Sequence, residues 1–178
     1  MRTHEHKRIW LLDRQHFEQA IELLSSGIAY LRPVEAVIGI ARGGREPASL
    51  LAGRWGLPYY EVMARHNLSD DVCSASMTPI EVELSGIRGA PSYQSVLIVD
   101  DICGSGETLQ TVRSKIRSKW QECANIKTLT LCRNAGSTII PNMYLWAVRD
   151  WVIFPWERAP EGFKTEPLPE PQRILTSI

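Results

Sequence analysis

Residues 94–108 read QSVLIVDDICGSGET. Val96, Leu97, Ile98 and Val99 are β-branched or leucine without alternation, the pattern of a strand buried on both faces of a parallel sheet. Asp100 and Asp101 then fall at its carboxyl end. Adjacent carboxylates repel each other, a placement that suits a partner such as sugar hydroxyls or a divalent cation. The run Gly104-Ser105-Gly106-Glu107-Thr108 that follows can fold a tight loop whose amides, at the start of the next helix, converge on a phosphate. Carboxylates beside a phosphate cradle point to a phosphorylated sugar and Mg²⁺.

Outward from this stretch, helix-like and strand-like segments alternate. Asp13 is the expected N-cap of a first helix that places Phe17, Ala20, Ile21, Leu24 and Ile28 on one face, and Arg32-Pro33 ends it. The run 34–41 is a buried strand leading into Arg42-Gly43-Gly44. Pro47 suits the first turn of a second helix, which carries Leu50, Leu51 and Trp55 and closes at Gly56. A strand over 59–64 precedes a polar stretch, 65–94, interrupted by Pro, Gly and Ser, with one short strand pair expected around 80–84; it reads as a mobile loop. Beyond the phosphate loop, Leu109, Val112, Ile116 and Trp120 mark a helix face, and 126–132 and 143–148 are the last expected strands. The tail from Ala159, containing EPLPEP, is expected to be extended and solvated.

The chain has 178 residues, enough for one domain with a substantial core. Twenty Lys and Arg balance twenty Asp and Glu, so no broad affinity for nucleic acid or membrane is expected. No apolar run approaches the roughly 20 residues of a membrane span, and the first residues, MRTHEHKRIWLLDR, are too charged for a secretory signal. A cytoplasmic location is expected. Cys73, Cys103, Cys123 and Cys132 lack paired spacing, which argues against a zinc site or a disulfide framework, and Cys103 reads as a small filler beside the loop rather than as a nucleophile. Trp10, Trp55, Trp120 and Trp146 read as core or interface residues, and their number favours a homodimer.

This element order predicts an α/β fold with a doubly wound parallel sheet. Ligands of such sheets bind beyond the carboxyl ends of the strands, where Arg42-Gly43-Gly44, residues 100–108 and Arg133-Asn134 all fall. No GK[ST] follows the glycines, which excludes a Walker A loop, and Gly104-Ser105-Gly106 lacks the third glycine of a dinucleotide fingerprint.

VLIVDDICGSGET resembles the sugar-phosphate motif of the type I phosphoribosyltransferases: an apolar strand, two acidic residues, a short variable stretch, then Thr or Ser, Gly, any residue and Thr. With IGIARGG, EPASLLAGRWGLP and the late segment DWVIFPWE, residues 34–157 are similar to the 6-oxopurine enzymes of the xanthine-guanine type. The resemblance implies a single phosphoribosyltransferase domain over 1–158, with a small hood region, an active-site loop at 65–94 and a Pro-rich tail at 159–178. It implies Mg²⁺-dependent transfer of 5-phosphoribose from phosphoribosyl pyrophosphate to a nitrogen-bearing acceptor, with release of pyrophosphate.

Carried over residue by residue, the resemblance implies that Asp100 and Asp101 bind the ribose hydroxyls directly or through Mg²⁺. Amides of Gly104, Ser105, Gly106, Glu107 and Thr108, with the Ser105 and Thr108 hydroxyls, hold the 5′-phosphate. Arg42, Gly43 and Gly44 hold pyrophosphate at a loop that often carries a cis peptide. Asp100, Asp101 and Arg42 thereby carry the catalysis. Trp151 stacks on a planar acceptor, Val152 offers backbone contacts, and Arg133 stands where a lysine usually meets the purine oxygen.

Two departures bear on the acceptor. Gly104 occupies the position of the usual catalytic Asp, and loss of a general base commonly costs about 10² to 10⁴ in rate. Arginine at 133 presents a planar fork suited to a carboxylate, a phosphate or two adjacent acceptors. Glu107, His66 and Glu157 are the other carriers of a base considered, with a solvated or structural reading open for each. The expectation is a transferase with a non-standard acceptor; the alternatives are 6-oxopurine salvage and a non-catalytic sensor of phosphoribosyl pyrophosphate.

Overall fold

Ala36–Ala41, AVIGIA, is buried at every position and forms a central strand, as its uninterrupted apolar run predicts. The computed structural model describes residues 8–66, 79–159 and 164–177. In chain order the elements are β1 (Ile9–Leu11), α1 (Arg14–Ser26), β2 (Ala36–Ala41), α2 (Arg45–Trp55), β3 (Tyr59–His66), β4 (Ile80–Glu83), β5 (Ser95–Cys103), α3 (Glu107–Lys119), β6 (Asn125–Asn134), β7 (Met143–Tyr144), β8 (Trp146–Val148), β9 (Trp151–Ile153), β10 (Thr165–Pro167) and β11 (Leu175–Thr176).

The main sheet runs β11-β7-β6-β5-β2-β3-β4, with β8 also paired to β6. Its interior pairs are parallel, while β4 on β3 and β11 on β7 are antiparallel edges. The chain steps from β2 to β3 in one direction and from β5 to β6 in the other, so the topological switch point lies between β2 and β5. Helices cover both faces. On one, Phe17, Ile21 and Leu24 of α1 and Leu51 of α2 pack with Leu97, Val99 and Leu129. On the other, Leu109, Val112 and Ile116 of α3 pack with Ile38, Val96 and Ile98. Each large apolar side chain fully buried in this way contributes about 1.5–3 kcal/mol.

Local chemistry sets the helix ends. Asp13 accepts from the His16 amide at 2.8 Å, the expected N-cap. Gly56 ends α2 at φ 64°, a left-handed conformation that glycine adopts without a Cβ penalty.

A second, smaller sheet of order β10-β1-β9 is parallel throughout and joins the two ends of the chain, with Ile9 opposite both Thr165 and Trp151. It is the hood, built from three-residue strands with no periodic signal. The tail corrects the expectation of a solvated extension. It is extended, but β10 and β11 each pair with the body, Leu168 is buried, and the Trp146 indole donates to the Pro169 carbonyl at 2.9 Å. The expected loop over 65–94 divides in the same manner. Residues 67–78, with Asn67 and Cys73, lie outside the described residues, whereas 79–94 hold β4 and a 3-10 turn at Ser85–Ile87 that buries Ile87.

Candidate active site

β2 and β5 part company at the switch point. Their ladder ends at Gly39 opposite Val99, yet β5 continues along β6 through Asp100 opposite Thr130 to Cys103 opposite Arg133. The acidic pair therefore sits inside β5, beyond the point where β2 turns away, rather than at the strand's last residue. Asp100 accepts from the Asp101 amide at 3.0 Å, and Asp101 from the Ile102 amide at 2.6 Å. These bonds fix the two carboxylates against their own backbone.

The Arg42-Gly43-Gly44 loop lies directly on this part of β5. A Cβ built on Gly43 would stand 2.0 Å from Asp101 Oδ2, and one on Gly44 would stand 2.2 Å from the Val99 carbonyl oxygen. Glycine is required at 44, where backbone meets the backbone of β5 and β2, while a side chain at 43 would have to displace the Asp101 carboxylate. The peptide bond between Ala41 and Arg42 is cis, as the resemblance implies. Arg42 is exposed at the rim, and α2 begins at once behind the loop, with the Gly44 carbonyl accepting from the Ala48 amide at 3.1 Å.

The third segment opens α3. Gly106 is its N-cap at φ 94°, and a Cβ there would meet Ile139 at 2.4 Å, so both conformation and packing demand glycine. The Ser105 hydroxyl accepts from the Glu107 amide at 3.3 Å. Gly104 is buried, Ser105 and Thr108 are partly buried, and Glu107 is exposed. A 13-residue helix thereby begins after the three residues 104–106 that follow the carboxyl end of β5, leaving its first amides without intrahelical partners.

The remaining expected site residues divide. Trp151 is 57% exposed on β9, available for stacking, whereas the Val152 side chain is buried and only its backbone, on the edge strand of the small sheet, can serve a ligand. Arg133 turns toward its own neighbourhood: its Nη2 donates to the Ser137 carbonyl at 2.8 Å and its Nε to that of Ile139 at 3.4 Å. Glu157 accepts from the Phe154 amide at 3.0 Å and ties a turn. Trp156 of the same segment lies edge-on to Phe17 and stacks on Phe154, a packing role. The side chain of His66 lies outside the described residues. Burial, then the Asp101 charge, push the Cys132 thiol well above its ordinary range, so it is not a nucleophile at neutral pH.

Two residues were not singled out from sequence. Among the described residues, Thr130 Oγ1 and Asp150 Oδ1 are buried side-chain oxygens without a hydrogen-bond partner. Thr130 stands opposite Asp100 across the β5–β6 ladder, which only the register discloses. Asp150 lines a cavity of about 260 Å³ with Trp10, Trp146, Arg149, Leu168 and Pro169, and the docked tail creates that cavity.

Among the described residues no group of three or more His, Cys, Asp or Glu forms an all-protein metal cage. Asp100 and Asp101 are adjacent hard oxygen donors, the chemistry that would suit Mg²⁺ held together with substrate phosphates.

The three segments thus gather at the switch point of a doubly wound sheet. The family model for the phosphoribosyl transferase domain matches residues 11–162. The chain belongs to that family and is a phosphoribosyltransferase. Among solved structures it is similar to a purine phosphoribosyltransferase from Pyrococcus horikoshii, at 25% identity and a TM-score of 0.75 over 88% of this chain and 99% of that one. It is also similar to a xanthine-guanine-hypoxanthine phosphoribosyltransferase from Helicobacter pylori, at 20% identity and 0.69 over 84% and 94% of the two chains. A third is a Neisseria gonorrhoeae protein with bound ppGpp, at 21% identity and 0.64 over 87% and 92%.

Proposed function

We propose that this phosphoribosyltransferase uses Mg²⁺ and phosphoribosyl pyrophosphate to ribosylate a nitrogen-bearing acceptor whose nucleophile needs no aspartate at position 104. One observation carries the reading: Gly44 abuts the backbone of Val99 too closely for any side chain, and Gly43 lies directly against the Asp101 carboxylate. A pyrophosphate bound at the 42–44 loop and a ribose bound at Asp100 and Asp101 would then be adjacent groups of a single substrate. The helix start at 106–108 supplies the matching site for its 5′-phosphate.

Asp100 and Asp101 would hold Mg²⁺, whose chemistry there would be neutralisation of the charge on a departing pyrophosphate. The protein's own part is positional and electrostatic. Arg42, exposed at the rim of the loop, reaches the pyrophosphate as it gains charge. The Asp100 and Asp101 carboxylates orient the ribose hydroxyls and favour the positive charge that develops on the ring as the C1–O bond breaks. Trp151 holds a planar acceptor on the opposite face of C1, so that its nitrogen bonds to C1 as pyrophosphate leaves. Gly104 offers no proton acceptor. The acceptor therefore either arrives ionised or loses its proton to solvent or to a group other than residue 104.

Purine salvage is the second reading, favoured by the 25% identity to a purine enzyme across nearly its whole length. The test is pyrophosphate release from Mg²⁺ and phosphoribosyl pyrophosphate across guanine, xanthine, hypoxanthine, adenine, uracil, orotate, nicotinate and amino-sugars. Fast release with an oxopurine selects salvage. Tight sugar-phosphate binding without release on any of them leaves a specialised acceptor or a non-catalytic sensor, and no binding of the sugar-phosphate refutes all three.

A further inference from the structure

We propose that Arg133 is a positioning residue for the phosphate-binding loop, acting through Ser137 and Ile139, rather than a contact for the acceptor. The proposal rests on the assignment of 104–108 to the 5′-phosphate. Arg133 pairs with Cys103 at the last rung of the β5–β6 ladder, immediately before that loop. Its planar fork grips two carbonyls of the following turn, Ser137 at 2.8 Å and Ile139 at 3.4 Å. A lysine ammonium lacks the rigid fork that reaches both from one plane.

The gripped turn is bonded within itself and to the end of β5. The Ser137 hydroxyl donates to the Ile139 carbonyl at 2.9 Å and accepts from the Ile139 amide at 3.2 Å. Cys103 Sγ lies 3.4 Å from the same hydroxyl and 3.6 Å from the Ile139 carbonyl. Gly136 donates to Asn134 Oδ1 at 2.9 Å, which closes the turn at its start. Asn134 and Ser137 are both buried, so this is a packed polar cluster rather than a solvated loop.

Its output is the Ile139 side chain. Cβ and Cγ1 of Ile139 both lie 2.4 Å from where a Gly106 Cβ would be, so the stem of Ile139 rests on the Gly106 backbone. Gly106, at φ 94°, is the residue that turns the loop into α3. Arg133 thus fixes the turn, the turn fixes Ile139, and Ile139 holds Gly106 in the conformation that aims the helix amides at the phosphate.

The experiment measures two quantities on the full chain: binding of phosphoribosyl pyrophosphate with Mg²⁺ by calorimetry, and hydrogen exchange at the 104–108 amides. Arg133→Ala is expected to weaken sugar-phosphate binding about tenfold or more, the worth of a hydrogen bond to a charged group. Ile139→Ala should do the same while leaving the guanidinium in place, and the double variant should be no worse than Arg133→Ala alone. Arg133→Lys should restore only part of the loss. Exchange should quicken within 104–108 and 135–139 and not across the central strands, a localisation that general destabilisation would not produce.

Unchanged exchange at 104–108 in both single variants overturns the proposal. So does normal sugar-phosphate binding in Arg133→Ala. Should Arg133→Ala fail to fold, Ile139→Ala decides by the same two readouts. If the parent protein binds no phosphoribosyl pyrophosphate, the proposed function fails, and the exchange measurement still decides the brace.

Discussion

Gly44→Ala is the sharpest probe of how the cleft is built. At φ −78° and ψ −7° the residue has a conformation open to alanine, so any cost is steric. The new methyl would stand 2.2 Å from the Val99 carbonyl oxygen, 2.8 Å from Asp100 Cα and 2.9 Å from the Ile40 nitrogen. All three are backbone atoms of β5 and β2, locked in the middle of the sheet. Relief has to come from the loop, which must lift by about 1.2 Å, the gap between 2.2 Å and the 3.4 Å of ordinary contact. Overpacking of this kind costs about 1–3 kcal/mol or more, and for a chain of this size each kcal/mol lowers Tm by about 2–4 °C. A displacement near 1 Å at a reacting centre can also cost about 10² in rate. Gly53→Ala is the control in the same helix: nothing lies within 4 Å of its added methyl, and replacing a mid-helix glycine should stabilise by about 0.5–1 kcal/mol. Thermal unfolding of both variants, with pyrophosphate release measured in parallel, checks the pair. A Gly44→Ala protein with the parent's Tm and turnover would refute the claim that the two loops are in backbone contact.

Asp101→Asn combined with Arg42→Ala should abolish use of phosphoribosyl pyrophosphate with the circular dichroism spectrum intact; unchanged turnover would remove the site. Gly104→Asp should raise turnover on an oxopurine if a base is the missing element, within the range of about 10² to 10⁴ that such a group supplies, as read by steady-state kinetics. Leu168→Ala should cost about 2–5 kcal/mol in urea unfolding, because the tail is part of the core; no loss would return the tail to solvent. Desolvation, with the bond to Tyr60 at 2.8 Å, pushes the Tyr93 phenol up to about 12. The unfolded phenol ionises first, so this contribution to stability is whole below its ordinary value of 10 and is lost as pH rises toward about 12, measurable as a falling urea midpoint that Tyr93→Phe should flatten.

The parallel core was legible because burial on both faces leaves uninterrupted apolar runs, as in Ala36–Ala41 and in 96–99. The positions of Asp100, Asp101, Gly43 and Gly44 followed from that, since strand ends at a switch point are fixed by strand order. The hood was legible only through the resemblance, because β1, β9 and β10 have three residues each and become strands by pairing across the length of the chain. The tail misled because prolines signal solvation locally, while Leu168 and the Trp146 indole act over long range. For Arg133 the sequence gives a planar fork but not its partners. Those are main-chain carbonyls four and six residues ahead, made available by a turn in which Gly136 caps onto Asn134.

The division between legible and hidden features follows the division of labour in the site. On the proposed reading the sugar-phosphate half joins the Asp100, Asp101 and Arg42 side chains to a frame of backbone: glycines where two segments touch, and amides at the start of α3. Gly44 and Gly106 leave no room for a side chain, which is why glycine marks them in the sequence. The acceptor half is made of side chains on short strands and turns, with Trp151 exposed and nothing but hydrogen at position 104. Substitutions there change what is bound without disturbing the sheet. A change of acceptor should therefore be reachable through position 151, while any change at 44 or 106 should lower the affinity for phosphoribosyl pyrophosphate whichever acceptor is supplied. Binding of the sugar-phosphate to the two classes of variant, measured without acceptor, separates them, and equal losses in both would mean that the two halves are not independent.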